Sequence, residues 1–399
     1  MHSSGLVKRV ARFSTSERER SEMSINHRLS FAALAVVLAS CVNAQWTLVP
    51  LATPQSGISY ARGSDGPYQV GSNNFNFLGE VAGIWQSSSE TFVNLNPTGA
   101  TTSRAFGAQG GFQVGESRFG GVYQASLWSG TAESFINLEP AGASGSVARA
   151  TANGVQVGSA AFGSENHAAY WAGSAESFVN LNPTGVVGSA AYGTDGSQHV
   201  GAVLLPGGFG VPPLTSEAAL WTGTSNSWVS LHQAGAFNST AYAVQGGNQV
   251  GEVTFSTGTV ASLWSGTAAS WVNLHPTGAT TSLANDVLDE YQVGMAVFGG
   301  SVGVTGNQIG GAAHAFLWQG SAGSGIDLHN YLPGWFTSTA TGISYGPGGD
   351  LYISGYGLNA SGGLEAFVLY GPEPVPEPGT IAVLAGAATL LTARRRFNK

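Results

Sequence analysis

One phrase recurs along the chain and constrains every fold open to it. It runs as an apolar residue plus Trp, then Gly, a Val-Asn-Leu-like strand, a Pro-Thr-Gly-like turn, an Ala-rich strand and Gln-Val-Gly. Leu127-Trp128-Ser129-Gly130, leading to Ile136-Asn137-Leu138, returns as Leu263-Trp264-Ser265-Gly266, leading to Val272-Asn273-Leu274. The Trp marks are Trp85, Trp128, Trp171, Trp221, Trp264 and Trp318, and a seventh copy puts Leu369 in the Trp place. The Leu marks are Leu51, Leu95, Leu138, Leu181, Leu231, Leu274 and Leu328. The Val marks are Val70, Val114, Val157, Val200, Val250 and Val293, with Ile353 read as the seventh.

The spacings carry the inference. Trp to the next Leu is 10 residues in every measurable copy, and Leu to the next Val is 19 in six of seven. Val to the next Trp varies from 14 to 25 residues. Fixed spacing means segments paired in register, and variable spacing marks a surface loop. The basic period is about 43 residues. Each period reads as four short strands rich in Val, Phe, Trp or Ala, punctuated by Gly, Ser, Thr, Asn or Pro. Four strands per repeat of about 40–45 residues predict a propeller blade. A β-helix is the alternative, but its coils repeat over fewer residues.

Seven copies of each mark predict an all-β, seven-bladed β-propeller over residues 45–371. The chain enters on a Leu-type strand (46–51) and leaves on a Trp-type strand (366–370), so the C-terminal strand should complete the first blade. That removes an open edge. The Trp marks are expected to pack between neighbouring blades. The pattern resembles the bacterial extracellular HAF-type repeat, carried by Ala315-Phe316-Leu317-Trp318 and Gln292-Val293-Gly294. The resemblance covers about 46–371 and implies a propeller, not an activity. The Asn94–Gly99 phrase departs from that family.

Composition narrows the function classes. With 59 Gly and only 9% charged residues, a helical bundle or coiled coil is excluded, while 10 Trp imply a packed core. A single Cys excludes a disulfide framework and a zinc cluster. Residues 45–379 carry four arginines (Arg62, Arg104, Arg118, Arg149) against 19 acids, a net charge of −15. Such a body has no basic footprint for phosphate backbones, so nucleic acid is not an expected partner.

The basic residues crowd the two ends instead. Residues 23–44 read as a secretory signal, with Arg28, the apolar run 31–38 and a small-residue site at Val42-Asn43-Ala44. Residues 1–22 read as an extension or non-native segment, with Met23 as the initiator. Leu38-Ala39-Ser40-Cys41 resembles a lipoprotein lipobox, which leaves lipidation of Cys41 as an alternative.

Residues 372–399 hold a polar stub (Val375, Pro376, Glu377, Pro378), an uncharged stretch over 380–393 that is short for a span, and Arg394, Arg395 and Arg396. This order resembles the PEP-CTERM sorting signal of Gram-negative bacteria. The resemblance implies an exosortase-type processing enzyme as partner, transient inner-membrane anchoring through the C-terminal segment, and a destination at the cell surface or in an exopolysaccharide matrix. A lone C-terminal anchor helix is the plainer alternative.

Site chemistry is sparse. The two longest Val-to-Trp connections (204–216 and 296–313) and the extra residues over 330–341 fall on one face of the predicted disc. Insertions on one face often mark a binding face, and Tyr331, Trp335 and Phe336 are its aromatic candidates, the alternative being that they merely cover the end of the core. His232, His275 and His329 share one repeat position, which Asn96, Glu139 and Asn182 fill elsewhere. Equivalent positions are spread around a ring, too far apart for one ion, so they read as solvated turn residues. Asp286, Asp289 and Glu290 cluster without EF-hand spacing. No nucleophile elbow, P-loop or dinucleotide fingerprint is present. The expectation is a non-enzymatic binding or structural module without metal or cofactor. Its partners would be exopolysaccharide or surface proteins. The alternatives are a polysaccharide-acting enzyme using carboxylates on the insertion face and a self-associating surface scaffold.

Overall fold

Every Gln-Val-Gly triplet lies on the second strand of a four-stranded antiparallel sheet, and there are seven such sheets in a ring. The computed structural model describes residues 46–374, apart from 54–55, 76–78, 207–213 and 300–311. Segments 1–22 and 23–44 lie outside the described residues, as do Cys41 and the sorting signal beyond Pro374. Among the described residues no helix is long and apolar enough to cross a membrane.

The seven-bladed propeller read from the repeat is the fold. Blade one is built, from the axis outward, of Ser56–Asp65, Tyr68–Phe75, Gly79–Gln86 and Val93–Asn94. The inner strands of blades two to seven are Thr102–Gln109, Ser146–Ala152, Gly188–Thr194, Asn238–Gln245, Ala279–Leu288 and Thr339–Tyr345. Blade seven is closed by the other end of the chain. Thr47–Pro50 is its outermost strand and pairs with Leu364–Gly371, Thr47 opposite Tyr370 and Pro50 opposite Phe367.

The core lies between blades. One cluster joins Val114, Leu127 and Leu138 of blade two to Ala148, Ala169 and Trp171 of blade three. The same set recurs as Val70, Ile84 and Leu95 against Ala105 and Trp128. All six Trp marks are fully buried. The smaller Leu369 leaves room that aromatics help to fill, since Phe367 and Trp46 lie in the same cluster.

Each letter of Gln-Val-Gly has a separate task. The Val fills the interblade core. The Gln side chain accepts the backbone N–H two residues beyond the Trp of the adjacent strand, as Gln113 does from Gly130 (2.8 Å) and Gln156 from Gly173 (2.8 Å). The Gly faces a bulge in the inner strand. Gly71 pairs with Ala61 and Val70 with Gly63, so Arg62 is left out of the ladder. A Cβ on any of the seven glycines would come within 3.0 Å of the carbonyl oxygen two residues before the bulged residue, Tyr60 O for Gly71 and Thr339 O for Gly355. This corrects one mark. Gly342 pairs with Ser354 and Ile353 with Leu369, so Ser354 takes the Val place and Ile353 the Gln place.

Neighbouring blades are also tied by a hydrogen-bond relay. A buried inner-strand Ser accepts a backbone N–H from the third strand of the preceding blade. The pairs include Ala82 to Ser103, Ala125 to Ser146, Ala261 to Ser282 and Ala366 to Ser59, at 2.8–2.9 Å. The serine hydroxyl then donates to the residue after the Leu mark: Asn96 (2.7 Å), Glu139, or Asn182 (2.5 Å). His232, His275 and His329 occupy this position, with Nδ1 2.8, 2.7 and 2.8 Å from Ser239, Ser282 and Ser338. They are therefore half-buried acceptors, not the solvated turn residues expected. In His275 the other nitrogen lies 2.9 Å from the Ala279 carbonyl, which accepts only, so Nε2 carries the proton. Ser282→Ala leaves the Ala261 N–H and the His275 Nδ1 unpaired. It should cost about 1–3 kcal/mol in urea denaturation.

Candidate functional site

The bulges determine what faces the axis. Strict alternation along a strand would send each inner-strand side chain into one interblade layer or the other. The bulge breaks this at one residue per blade and turns its side chain into the central channel. The seven residues skipped at this bulge are Arg62, Phe106, Arg149, Tyr192, Tyr242, Asn285 and Thr341, while Gly57 and Thr280 are skipped at second irregularities near the start of their strands. All seven line both cavities on the axis. The ring thus divides the channel in two. One cavity, about 350 Å³, runs toward the hairpins that end the inner strands. The other, about 410 Å³, lies on the opposite side and adds Arg104, Glu116 and Tyr356 to its lining. The second and third strands connect on that side. The strand ends flanking 207–213 and 300–311 are there, as is Phe336, whose N–H donates to Leu358 O at 2.8 Å.

The ring is not uniform. Asn285 donates to Ala340 O (2.7 Å) and Thr341 to Ala61 O (2.8 Å), so these two staple inner strands together. The Tyr242 hydroxyl donates to Glu252 at 2.9 Å, and the Tyr192 and Tyr242 rings lie 5.8 Å apart. Across the channel stand three of the four arginines of the body. The Arg62 and Arg149 guanidiniums lie 5.6 and 4.5 Å from the centre of the Phe106 ring. Arg62 bonds Glu80 (3.2 Å) and Ser72. Arg104 bridges Glu80 (2.6 Å) and Glu116 (2.9 Å). Burial alone would push the Glu80 carboxyl up, but Arg62, the Ser72 hydrogen bond and Arg104 outweigh it and hold it below its usual range. Burial pulls the Arg149 guanidinium down, Glu116 opposes, and Arg62 and Arg104 add to the fall.

The aromatic candidates are placed unevenly. Trp335 meets Phe367 edge-on at 5.3 Å, and Tyr331 lies 6.4 Å from Trp46, both partly buried against the core. Phe336 is 61% exposed. Asp286, Asp289 and Glu290 do not converge. Asp286 accepts the Ile343 and Val287 N–H groups, and its carboxyl is pushed up to about 6 by burial against those bonds. Asp289 and Glu290 are exposed. No group of three metal-ligating side chains occurs among the described residues.

His329 gives the fold a pH dependence. Its ring stacks on His314 at 4.2 Å, and His314 lies 2.7 Å from Asp327. Burial first, then His314, lowers its pKa, while Asp327 pulls the other way. A depressed folded-state pKa contributes stability above the unfolded imidazole value of about 6.5, lost as pH falls below it. The urea midpoint should therefore fall between pH 7 and pH 5. His329→Asn, which supplies the acceptor used at Asn96 and Asn182, should flatten part of that fall.

Sequence reasoning missed this ring of bulged side chains. The signal was present, because Arg62, Phe106, Arg149, Tyr192, Tyr242 and Asn285 each stand nine residues before the Gly of Gln-Val-Gly. Only knowledge of the bulge gives that column a direction.

No family model matches the chain, and no curated protein does. Among solved structures, it is similar to the β-propeller domain of the trilobed protease from Pyrococcus furiosus. That match has 10% identity and a TM-score of 0.47, over 79% of this chain and 94% of that one. It is similar to the acylaminoacyl peptidase of Pyrococcus horikoshii at 10% identity and a TM-score of 0.47, over 82% of this chain and 54% of that one. A third is TolB from Acinetobacter baumannii, with 10% identity and a TM-score of 0.38, over 67% and 62%. At these identities the likeness bears on no residue and no activity of this chain.

Proposed function

We propose that this propeller is an exported binding or structural module of the cell surface or extracellular matrix, and that it takes its ligand in the axial cavity on the insertion face. The observation that carries this reading is the ring of bulged side chains. Seven blades each give up one ladder position, and the freed residues converge on a cavity of about 410 Å³, within the range of small-ligand pockets. Asn285 and Thr341 return something to stability through their staples, but Arg149 forms no hydrogen bond or ion pair among the described residues. Export rests on the signal read over 23–44. The exosortase-type route rests on the motif from Val375 to Arg396. The cavity, Phe336 and the ends flanking the long connections share one face.

In the cavity on the insertion face, binding is favoured over turnover by Glu116, which lines it, and by Glu80, which shares Arg104 with Glu116. Glu80 is held below its usual range by Arg62 and Arg104, the wrong direction for a general acid. Glu116 is committed to Arg104.

The test is co-sedimentation of the protein with the producer's own exopolysaccharide, assaying the supernatant for released sugar. Retention without release is the expected result. Release of sugar would replace this reading with the enzyme, and absence of retention would turn the search to surface proteins. Phe336→Ala should leave the urea midpoint within about 0.5 kcal/mol, as for exposed positions generally, while weakening retention. Trp335→Ala is a less clean probe because it also removes a packing contact with Phe367.

A further inference from the structure

From the axial pocket reading above, we infer that the ligand is acidic: a carboxylate borne on a hydroxyl-rich ring, of the uronic acid class, with its carboxylate on Arg149. Three arginines face two glutamates on one side of the channel. Arg62 and Arg104 are engaged by Glu80 and Glu116 at 2.6–3.2 Å. Arg149 is not engaged. Among the described residues its guanidinium has no hydrogen bond or ion pair and lies over the face of Phe106, and it reaches both cavities. An enclosed cation without a partner is costly, and here Arg62 and Arg104 stand close by while the one attracting carboxylate, Glu116, is already bound to Arg104 at 2.9 Å. The arrangement becomes favourable when an anion arrives, because the guanidinium fork meets a carboxylate through two parallel N–H bonds.

The rest of the lining decides between a bare ion and a larger acid. Tyr192, beside Arg149, together with Tyr242 and Tyr356 adds aromatic faces to a cavity much larger than an inorganic anion needs, the Tyr242 hydroxyl being held by Glu252. Aromatic faces with hydroxyl groups at their edges suit a sugar ring. The axis therefore offers one charged anchor and a wide polar and aromatic wall, the pattern of an acidic sugar.

The test is calorimetric titration of the full chain with sodium trigalacturonate, its methyl ester and inorganic phosphate. The acid is expected to bind at least about tenfold more tightly than the ester, the worth of one charge-assisted pair. It should also bind more tightly than phosphate. Arg149→Gln should lose at least about tenfold in affinity for the acid, and Arg149→Lys should lose less. Arg149→Gln should melt no lower than the parent, because repulsion with Arg62 and Arg104 is relieved, and Arg149→Lys, which keeps the charge, should melt close to the parent. A purely structural arginine would instead lower the melting temperature and leave affinity unchanged, which would overturn the inference. Tighter binding of phosphate would overturn the sugar acid. Equal binding of acid and ester, lost in Tyr192→Ala, would overturn the carboxylate and leave the pocket standing. Binding untouched by both Tyr192→Ala and Arg149→Gln would overturn the pocket as well. Failure of all three probes to bind would overturn the carboxylate, with exopolysaccharide co-sedimentation reading the pocket independently.

Discussion

Gly158→Ala should abolish the native ring or cost about 3 kcal/mol or more in urea denaturation, the upper end for overpacking. The reason is geometric. Gly158 pairs with Ala148 where the inner strand bulges around Arg149. A methyl group there would meet the Val147 carbonyl oxygen and the Ala148 Cα within 3.0 Å, and both are backbone. Backbone cannot rotate away as a side-chain tip can, so the bulge must flatten or the two strands must part. Flattening would turn Arg149 back into an interblade layer that holds Trp171 and Leu138. The control is Gly323→Ala, where a Cβ meets nothing within 4 Å and φ is not positive. That variant should keep the parent midpoint. An unchanged midpoint in Gly158→Ala would show that the close approach is not what selects glycine in Gln-Val-Gly.

Trp264→Ala should cost about 3–5 kcal/mol, the range for truncating a fully buried Trp. Trp264 is 0% exposed and packs against Val200, Leu220 and Leu231 of the preceding blade. Truncation leaves a cavity between two sheets whose backbones are fixed by their own ladders, so collapse can recover little of the loss. Near-ultraviolet circular dichroism with urea denaturation would read it. The indole N–H of each Trp mark has no hydrogen-bond partner, so the indole stays for its volume. Trp264→Phe should accordingly recover more than half of the lost stability.

The aromatic loop and the axial ring differ in how far sequence could reach them. Tyr331, Trp335 and Phe336 were legible because an insertion after Leu328 interrupts a fixed spacing. That such residues cover the end of the core was one of two readings open, but which of them do so was not legible, since the contacts of Tyr331 with Trp46 and of Trp335 with Phe367 join residues far apart in the chain. His232, His275 and His329 were legible as one column, but their role was misread. A turn position in one blade lies beside an inner-strand Ser of the next, and the repeat gives no sign that this Ser is buried.

The sequence alone determined the sheets, their number and the closure of the ring. Constant spacing can persist only where strands pair in register, and the chain's opening on one strand type and closing on another left one blade to be completed from both ends. The two terminal signals are likewise read from sequence alone, because such motifs are linear. Tertiary structure alone decided which side chains meet. A bulge reverses the facing of one residue per blade, so alternation points the wrong way at the one position that matters. Closure then carries seven such residues, up to 279 positions apart, to a common axis. Arg149 is one of four scattered arginines in the sequence. It becomes an unpaired cation in a shared cavity only once Arg62 and Arg104, two blades and one blade away, have taken Glu80 and Glu116 for themselves.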